Sequence, residues 1–219
     1  SDRLHEELTK SFIDKRASVL AKGLKQDISF DTKILDDESV IINEQFIGRL
    51  KGLKLELDLK IGALDSDIKS LKKAARQSVT PEILNRMHKI INTQNLQLDT
   101  DCKIYWNKNP IAFIIPGKDY LNPEIKLIID DMVEFNDQKK LLEFLNIWLA
   151  TKINNDLESL HKLKFIKDTN PQIRALAFQL YENNGVIKRE VVNELVKKLS
   201  QDQRKVLRDI GVKFGRYHI

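Results

Sequence analysis

Residues 39–52 read SVIINEQFIGRLKG, and sixty-four residues further on, residues 103–116 read KIYWNKNPIAFIIP. The two stretches align without a gap, with Asn43 opposite Asn107 and apolar pairs at 40/104, 41/105, 42/106 and 50/114. In each, two runs of apolar residues flank a polar turn, a pattern typical of two consecutive strands. The alignment predicts two copies of one β-unit. The alternative is two unrelated small meanders.

A third strand and a preceding helix extend each copy. Leu53–Asp58 alternates apolar and charged residues, which predicts a half-buried strand, and Glu124–Ile129 follows the second copy in the same way. Helical spacing of apolar residues occupies residues 4–24 before the first copy and residues 65–91 before the second. Within the latter, Thr80 followed by Pro81 predicts that one helix breaks and another begins.

The pattern becomes all-helical after residue 137. An apolar stripe runs from Leu141 to Leu160, and Asn170-Pro171 starts a further helix that residues 183–185 (Asn-Asn-Gly) end. Lys188–Leu199 predicts a third helix, and Ser200 with Gln203 forms a capping box for a fourth that ends near Gly211. Residues 212–219 are predicted to be extended.

These patterns predict an α+β fold with two tandem helix-plus-three-stranded β-units and an all-helical C-terminal subdomain. The expected domains are 1–64, 65–136 and 137–219. The last domain is expected to carry a basic C-terminal face and to be truncated at Ile219.

Composition indicates a soluble protein of the cytosol. The chain has 219 residues, 42% of them hydrophobic and 32% charged, and one cysteine, so no internal disulfide can form. The longest nearly apolar run, residues 110–116, is far shorter than the roughly 20 residues that a membrane-spanning helix needs.

The net charge of +5 is concentrated at one end of the chain. Residues 185–219 hold nine lysines and arginines against four acidic residues, a balance of +5, so residues 1–184 are neutral in sum. A local basic surface is typical of a protein with a polyanionic partner. The predicted nucleic-acid-binding residues are Lys197, Lys198, Arg204, Lys205, Arg208, Lys213 and Arg216, together with Arg49 and Lys51 on the first β-unit.

A simpler interpretation of these charges remains open. The C-terminal cations can belong to a solvated helix face that Glu190, Glu194, Asp202 and Asp209 partly neutralise, and Arg49 can be an outward strand residue. Three short helices between Ile173 and Ile210 are also compatible with a helix-turn-helix.

No catalytic or metal-ligating pattern accompanies the basic region. There is no glycine-rich phosphate loop ending in Lys-Ser/Thr, no Gly-x-Ser-x-Gly elbow, and the four histidines are isolated from the single cysteine. The acidic clusters at residues 36–38, 99–101 and 130–131 coincide with predicted strand boundaries, where Asp favours turns. No catalytic, metal or cofactor residue is therefore assigned in this chain.

Several segments, in order along nearly the whole chain, resemble one family. They are residues 4–16 (LHEELTKSFIDKR), 47–52 (IGRLKG), 104–107 (IYWN), 184–189 (NGVIKR) and 207–215 (LRDIGVKFG). They resemble the region that follows the motor in alphaproteobacterial superfamily-2 ATP-dependent helicases related to the mitochondrial RNA-degradosome helicase. Leu53, where the family usually carries an aromatic residue, and Arg174-Ala175, where it tends to show Arg-Gly, depart from the family pattern.

The resemblance implies a parent protein with two RecA-like motor domains upstream, which would bind ATP and Mg²⁺ and hydrolyse ATP. Since none of that machinery is in this sequence, the expected role is non-catalytic: binding or guiding RNA or DNA for motor domains in cis. The alternative is a protein-docking module that recruits a nuclease or a ribosomal or RNA-processing partner. The choice between RNA and DNA, the unwinding polarity and the oligomeric state are left open by the sequence.

Overall fold

The computed structural model describes residues 3–4, 31–58, 65–93, 95–167 and 170–219. The chain divides into two compact units: unit 1 is residues 1–115 with 124–145, and unit 2 is residues 116–123 with 146–219. The helix predicted over residues 4–24 falls almost entirely outside the described residues.

The described residues contain eight strands in two four-stranded sheets, of orders β1-β2-β3-β4 and β5-β6-β7-β8. The strands are β1 Thr32–Ile34, β2 Ser39–Ile42, β3 Gln45–Lys51, β4 Lys54–Leu57, β5 Leu96–Leu98, β6 Lys103–Trp106, β7 Asn109–Asp119 and β8 Asn122–Leu127. The described helices are α1 Asp65–Thr93, α2 Phe135–Asp156, α3 Glu158–Lys164, α4 Pro171–Glu182, α5 Arg189–Lys198 and α6 Gln201–Ile210. The predicted α+β class with two β-units and C-terminal helices is confirmed, but each β-unit forms a four-stranded sheet where the sequence predicted three strands.

The internal repeat extends to the pairing of individual residues. Ser39 pairs with Arg49 as Lys103 pairs with Phe113, and in each copy the register shifts at the same place, between residues 40 and 41 and between residues 104 and 105. Both turn residues have positive φ in each copy, at Asn43 and Glu44 (47° and 64°) and at the equivalent positions 107 and 108 (46° and 68°). Positive φ at both central residues is what a two-residue hairpin turn of type I′ requires.

Helix α1 is continuous, so the predicted break at Thr80-Pro81 is wrong. Pro81 lies inside the helix. A proline inside a helix removes one N–H donor, which leaves an acceptor carbonyl without its helical partner. The hydroxyl of Thr80 donates to the carbonyl of Arg76, four residues earlier, at 2.9 Å, so the residue that was expected to cap a new helix bonds back into the existing one.

One face of α1 is buried in unit 1. Val79, Ile83 and Ile90 are fully buried, and their spacing of four and seven residues places them on one side of the helix. Burial of each such side chain contributes about 2 kcal/mol relative to leaving it exposed. From the same helix, the guanidinium of Arg86 donates to the carbonyls of Leu50 and Gly52, at 2.9 Å each, and so fixes α1 to the turn between β3 and β4.

Unit 2 has a core that helices α3 to α6 share with residues 212–219, which we name the closing segment. The core residues are Leu163, Ile173, Leu176, Ala177, Leu180, Ile187, Val192, Val196, Leu199, Leu207, Val212 and Ile219. The predicted helix starts at Asn170-Pro171 and at Ser200 are confirmed, the latter with both hydrogen bonds of the capping box. Unit 2 also contains the β7–β8 hairpin tip, where Asp119 accepts a hydrogen bond of 2.8 Å from Lys164 on α3.

Candidate nucleic-acid interface

The candidate interface is built on α5, α6 and the closing segment of unit 2. Only Leu199 and Ser200 separate α5 from α6, and Leu199 is buried. Helix α6 ends at Gly211, which has a φ of 117°, a conformation that glycine adopts without strain. A side-chain carbon at this position would also overlap the hydroxyl of Ser159. The ends of α6 are thus fixed by its local sequence, as predicted.

The closing segment was predicted to be extended, but it forms no regular strand: it bends at residues 216–217 and pairs only near its end with the residues that precede α5. Ile187 and Ile219 exchange two backbone hydrogen bonds of 2.9 Å, and Lys188 and His218 form an antiparallel bridge. The backbone N–H of Arg189 donates to the carbonyl of Tyr217 at 2.8 Å. This pairing brings the start of α5 beside the closing segment.

Two of the seven predicted C-terminal cations have a hydrogen-bond or ion-pair partner among the described residues. The guanidinium of Arg204 is half-buried and donates to the carbonyl of Val196, near the end of α5, at 2.9 Å. The ammonium of Lys197 lies 2.8 Å from a carboxylate oxygen of Glu194, one helical turn earlier. This hydrogen bond lowers the pKa of Glu194. Arg204 is therefore bound within the protein, and Lys197 is partly neutralised.

The other five cations are exposed and make no ion pair with a carboxylate of any described residue. They are Lys198 at the end of α5, Lys205 and Arg208 on α6, and Lys213 and Arg216 on the closing segment. Arg208 and Arg216 lie beside aromatic rings, 5.9 Å from the centroid of Phe214 and 5.5 Å from that of Tyr217. We refer to these five residues as the free cations.

Arg49 and Lys51 lie on β3 in unit 1, so the structure assigns them to a different unit from the C-terminal cations. Both are exposed. Lys51 is bound to Glu56 of β4 at 2.7 Å, and Arg49 stands directly opposite Glu56 in the strand register. This environment fits the simpler interpretation, in which Arg49 is an outward strand residue. The acid on the neighbouring strand partly neutralises both cations.

The sequence interpretation missed three neighbours of the free cations. Lys188, Arg189 and Tyr217 meet only because the closing segment pairs with the start of α5. A guanidinium nitrogen of Arg189 also donates to the carbonyl of Gly215 at 2.7 Å. The basic residues were visible in the local charge balance, but their pairing joins positions some thirty residues apart and has no local signal.

Each unit also contains a cleft. In unit 2 a cleft of about 630 Å³ borders the closing segment, with Leu160, Leu180 and Ile219 among its apolar lining and Lys213 and His218 among its polar lining. Its lining also includes the acidic residues Asp156 and Glu158 and one free cation, Lys213.

The cleft of unit 1, about 990 Å³, lies between the β1–β2 turn, the β6–β7 turn and α1. Three of its acidic side chains are bound within the fold: Asp37 accepts from the hydroxyl of Ser39, Glu38 accepts from the amide of Asn109, and Glu82 accepts from Arg86. The bond from Ser39 lowers the pKa of Asp37. These groups are arranged as turn and helix contacts of the fold.

Within the described residues, no helix is long and apolar enough to cross a membrane, and no three His, Cys, Asp or Glu side chains are grouped to hold a metal ion. No family model matches the chain, and no curated protein and no solved structure matches it.

Proposed function

We propose that this chain is a non-catalytic C-terminal region of an ATP-dependent helicase and that unit 2 binds the phosphate backbone of RNA or DNA for the motor domains. The observation that carries the proposal is the group of five free cations around α6 and the closing segment. An unpaired cation that is already exposed can bind a phosphate without first losing a protein partner. The helicase part of the proposal rests on the sequence resemblance. The proposal also includes a cytoplasmic location.

Phosphate contacts of this kind give affinity without sequence selectivity, because phosphates are the same at every base. They also release condensed counterions, so the logarithm of the binding constant falls with the logarithm of salt concentration by about 0.7 per phosphate for a single strand. If all five free cations contact phosphates, the slope is about −3.5.

Fluorescence anisotropy of a labelled oligonucleotide, titrated with the chain at several salt concentrations, measures this slope. The variant Lys198→Gln, Lys205→Gln, Lys213→Gln removes three free cations, and we expect it to reduce the magnitude of the slope by about 2. The matched control replaces three exposed lysines of unit 1, Lys54, Lys72 and Lys73, by glutamine. It loses the same net charge and is expected to keep the slope.

Absence of binding at low salt would contradict the proposal, as would equal losses in the variant and the control. In the second case the nucleic acid would respond only to net charge. A protein-docking role predicts the first of these outcomes, because the chain would then bind no nucleic acid that either triple variant could weaken.

A further inference from the structure

Tyr217 combines exposure with an adjacent cation. Its side chain is 71% exposed, and the guanidinium of Arg216 lies 5.5 Å from its ring centroid. Exposed aromatic residues are common on protein surfaces and need no explanation when they occur singly. The surroundings of Tyr217 therefore decide whether its ring has a role.

In each of the other cation–aromatic contacts of the described residues, either the cation is bound to a carboxylate or the ring is partly buried. Lys103 lies over Phe113, but its ammonium is bound to Asp101 at 2.7 Å. Lys164 lies near the rings of Phe165 and Tyr181, but it is bound to Asp119 at 2.8 Å.

Arg208 has no carboxylate partner, but its aromatic neighbour Phe214 is half-buried and packs against the core of unit 2. Arg216 and Tyr217 are thus the pair in which the cation is free and the ring is open to solvent. This combination offers a stacking surface and a phosphate ligand side by side.

Tyr217 is also held in place by its backbone. Its carbonyl accepts from the N–H of Arg189, and two residues later Ile219 is paired with Ile187 and buried. Arg189 binds the carbonyl of Gly215 from the other side. A ring whose backbone is already fixed loses less conformational freedom when a ligand stacks on it.

The rival ligand, a duplex whose groove receives α6, is disfavoured by the charges on that helix. In helix-turn-helix proteins the first residues of the second helix approach the bases between two phosphate chains. Here Asp202 is in the first turn of α6 and Asp209 lies two turns further along the same side, both exposed, with the free cation Lys205 between them, so this side of α6 carries two negative charges against one positive charge. These carboxylates would face the phosphates on one wall of the groove and repel them.

We infer that Tyr217 stacks with an unpaired base of single-stranded nucleic acid while Arg216 and Lys213 bind the neighbouring phosphates. This inference rests on the proposed function, and it adds a base-stacking position to a surface that otherwise binds phosphates. Every base has a π-face, so the stacking selects for unpaired strands and not for sequence.

A short oligothymidine strand that carries one 2-aminopurine tests the inference, because stacking on an aromatic ring quenches the fluorescence of that base. We expect the unsubstituted chain and Tyr217→Phe to quench it, and Tyr217→Ala to lose the quenching and bind roughly tenfold more weakly. The salt slope should stay unchanged in Tyr217→Ala because no ionic contact is lost. Phe178→Ala, which removes a 59% exposed aromatic ring from α4, is the control that should bind as the unsubstituted chain does.

The outcomes separate this inference from the proposed function. If Tyr217→Ala binds and quenches like the unsubstituted chain, the stacking position is wrong and phosphate binding stands. If the annealed duplex binds more tightly than the strand, and Lys205→Ala abolishes that binding, α6 is the reading element and the inference is overturned. If the unsubstituted chain binds nothing at low salt, both proposals fall. Since Tyr217 is exposed, the thermal melts of Tyr217→Ala and Tyr217→Phe should match that of the unsubstituted chain.

Discussion

The arginines of helix α1 in unit 1 and the free cations of unit 2 differ in their partners, although α1 also carries exposed lysines such as Lys72 and Lys73. In unit 1, Arg76 lies 3.6 Å from the buried carboxylate of Asp130 and 2.9 Å from Asp131, and Arg86 is bound to two carbonyls and to Glu82. In unit 2 the five free cations bind no carboxylate or carbonyl of a described residue, although Lys198 is near enough to Glu194 to help lower its pKa. Sequence composition counts these residues alike, whereas the structure separates cations that hold the fold from cations available to a ligand.

The largest loss of stability is expected when Arg76 is replaced. Replacement by methionine keeps most of the side-chain volume but leaves the carboxylate of Asp130, which is 1% exposed, without its cation. We expect a loss of about 3 kcal/mol in the free energy of unfolding, because an uncompensated charge stays buried. Denaturant titration measures it. Lys73→Met, on the exposed side of the same helix, should change the stability by less than about 0.5 kcal/mol.

A smaller effect is expected at Arg204, which tests the division within unit 2 itself. Arg204→Met removes the hydrogen bond to Val196 and should cost about 1–2 kcal/mol of stability while leaving the salt slope of nucleic-acid binding unchanged. Its neighbour Lys205 is a free cation, so Lys205→Met should show the opposite pattern, with stability unchanged and a shallower slope. Denaturant titration and anisotropy on the two variants decide the point, and the same response in both would refute the distinction.

The smallest effect is expected at the ion pair of Asp119 and Lys164 in unit 2, where a cation binds a carboxylate as Arg76 does in unit 1. The hydrogen bond from Lys164 lowers the pKa of Asp119 from 3.8 to about 2, with help from Asn122 and the N–H of Leu121. Because the folded state holds this proton less tightly than the unfolded state, the stabilisation is present above pH 4 and is lost as the pH falls toward 2.

Melting temperatures measured across this acid range should therefore fall less steeply for Asp119→Asn than for the unsubstituted chain. Asp209→Asn, an exposed carboxyl of α6, is the control and should keep the original pH dependence. The same bond raises the pKa of Lys164, so its contribution is lost only as the pH rises above the ordinary lysine value of 10.5. If Asp119→Asn and the unsubstituted chain lose stability in parallel, the Asp119–Lys164 bond does not stabilise unit 2.

The sequence predicted best where short-range rules apply. Asn170 before Pro171, the Ser200–Gln203 box and Gly211 are local signals, and each defines a helix end in the structure. The alignment at an offset of sixty-four residues also placed the two turns, at Asn43 and Asn107, in equivalent positions. A two-residue turn fixes the register of the strands beside it, so the two hairpins pair in the same way.

The sequence failed where the deciding partner is distant or the element is short. Strands β1 and β5 have three residues each, too few to show alternation, and they are recognisable only by their pairing with β2 and β6. The break predicted at Pro81 ignored the burial of Val79 and Ile83 on either side, which keeps the helix continuous through the proline.

The site was predicted as a set of charges, and the structure divides that set. Nothing in the order of residues shows that Arg204 turns toward Val196 while Lys205 faces solvent, because both lie in one helical turn of polar residues. Tyr217 was overlooked for a related reason. Its proposed role depends on Arg189, which is remote in sequence but donates a backbone hydrogen bond to the carbonyl of Tyr217.

The repeat has a consequence for how far its two hairpins are interchangeable. Their backbones pair identically, yet Gly48 stands where the second copy has Ala112, and a side-chain carbon at Gly48 would overlap the carbonyl of Glu56. Gly52 has a φ of 56°, which the equivalent Pro116 cannot adopt. A transplant of the second hairpin into the first would thus fail at the two glycines while matching everywhere in register. The two hairpins share one pattern of backbone pairing, but each has residues that fit only its own surroundings.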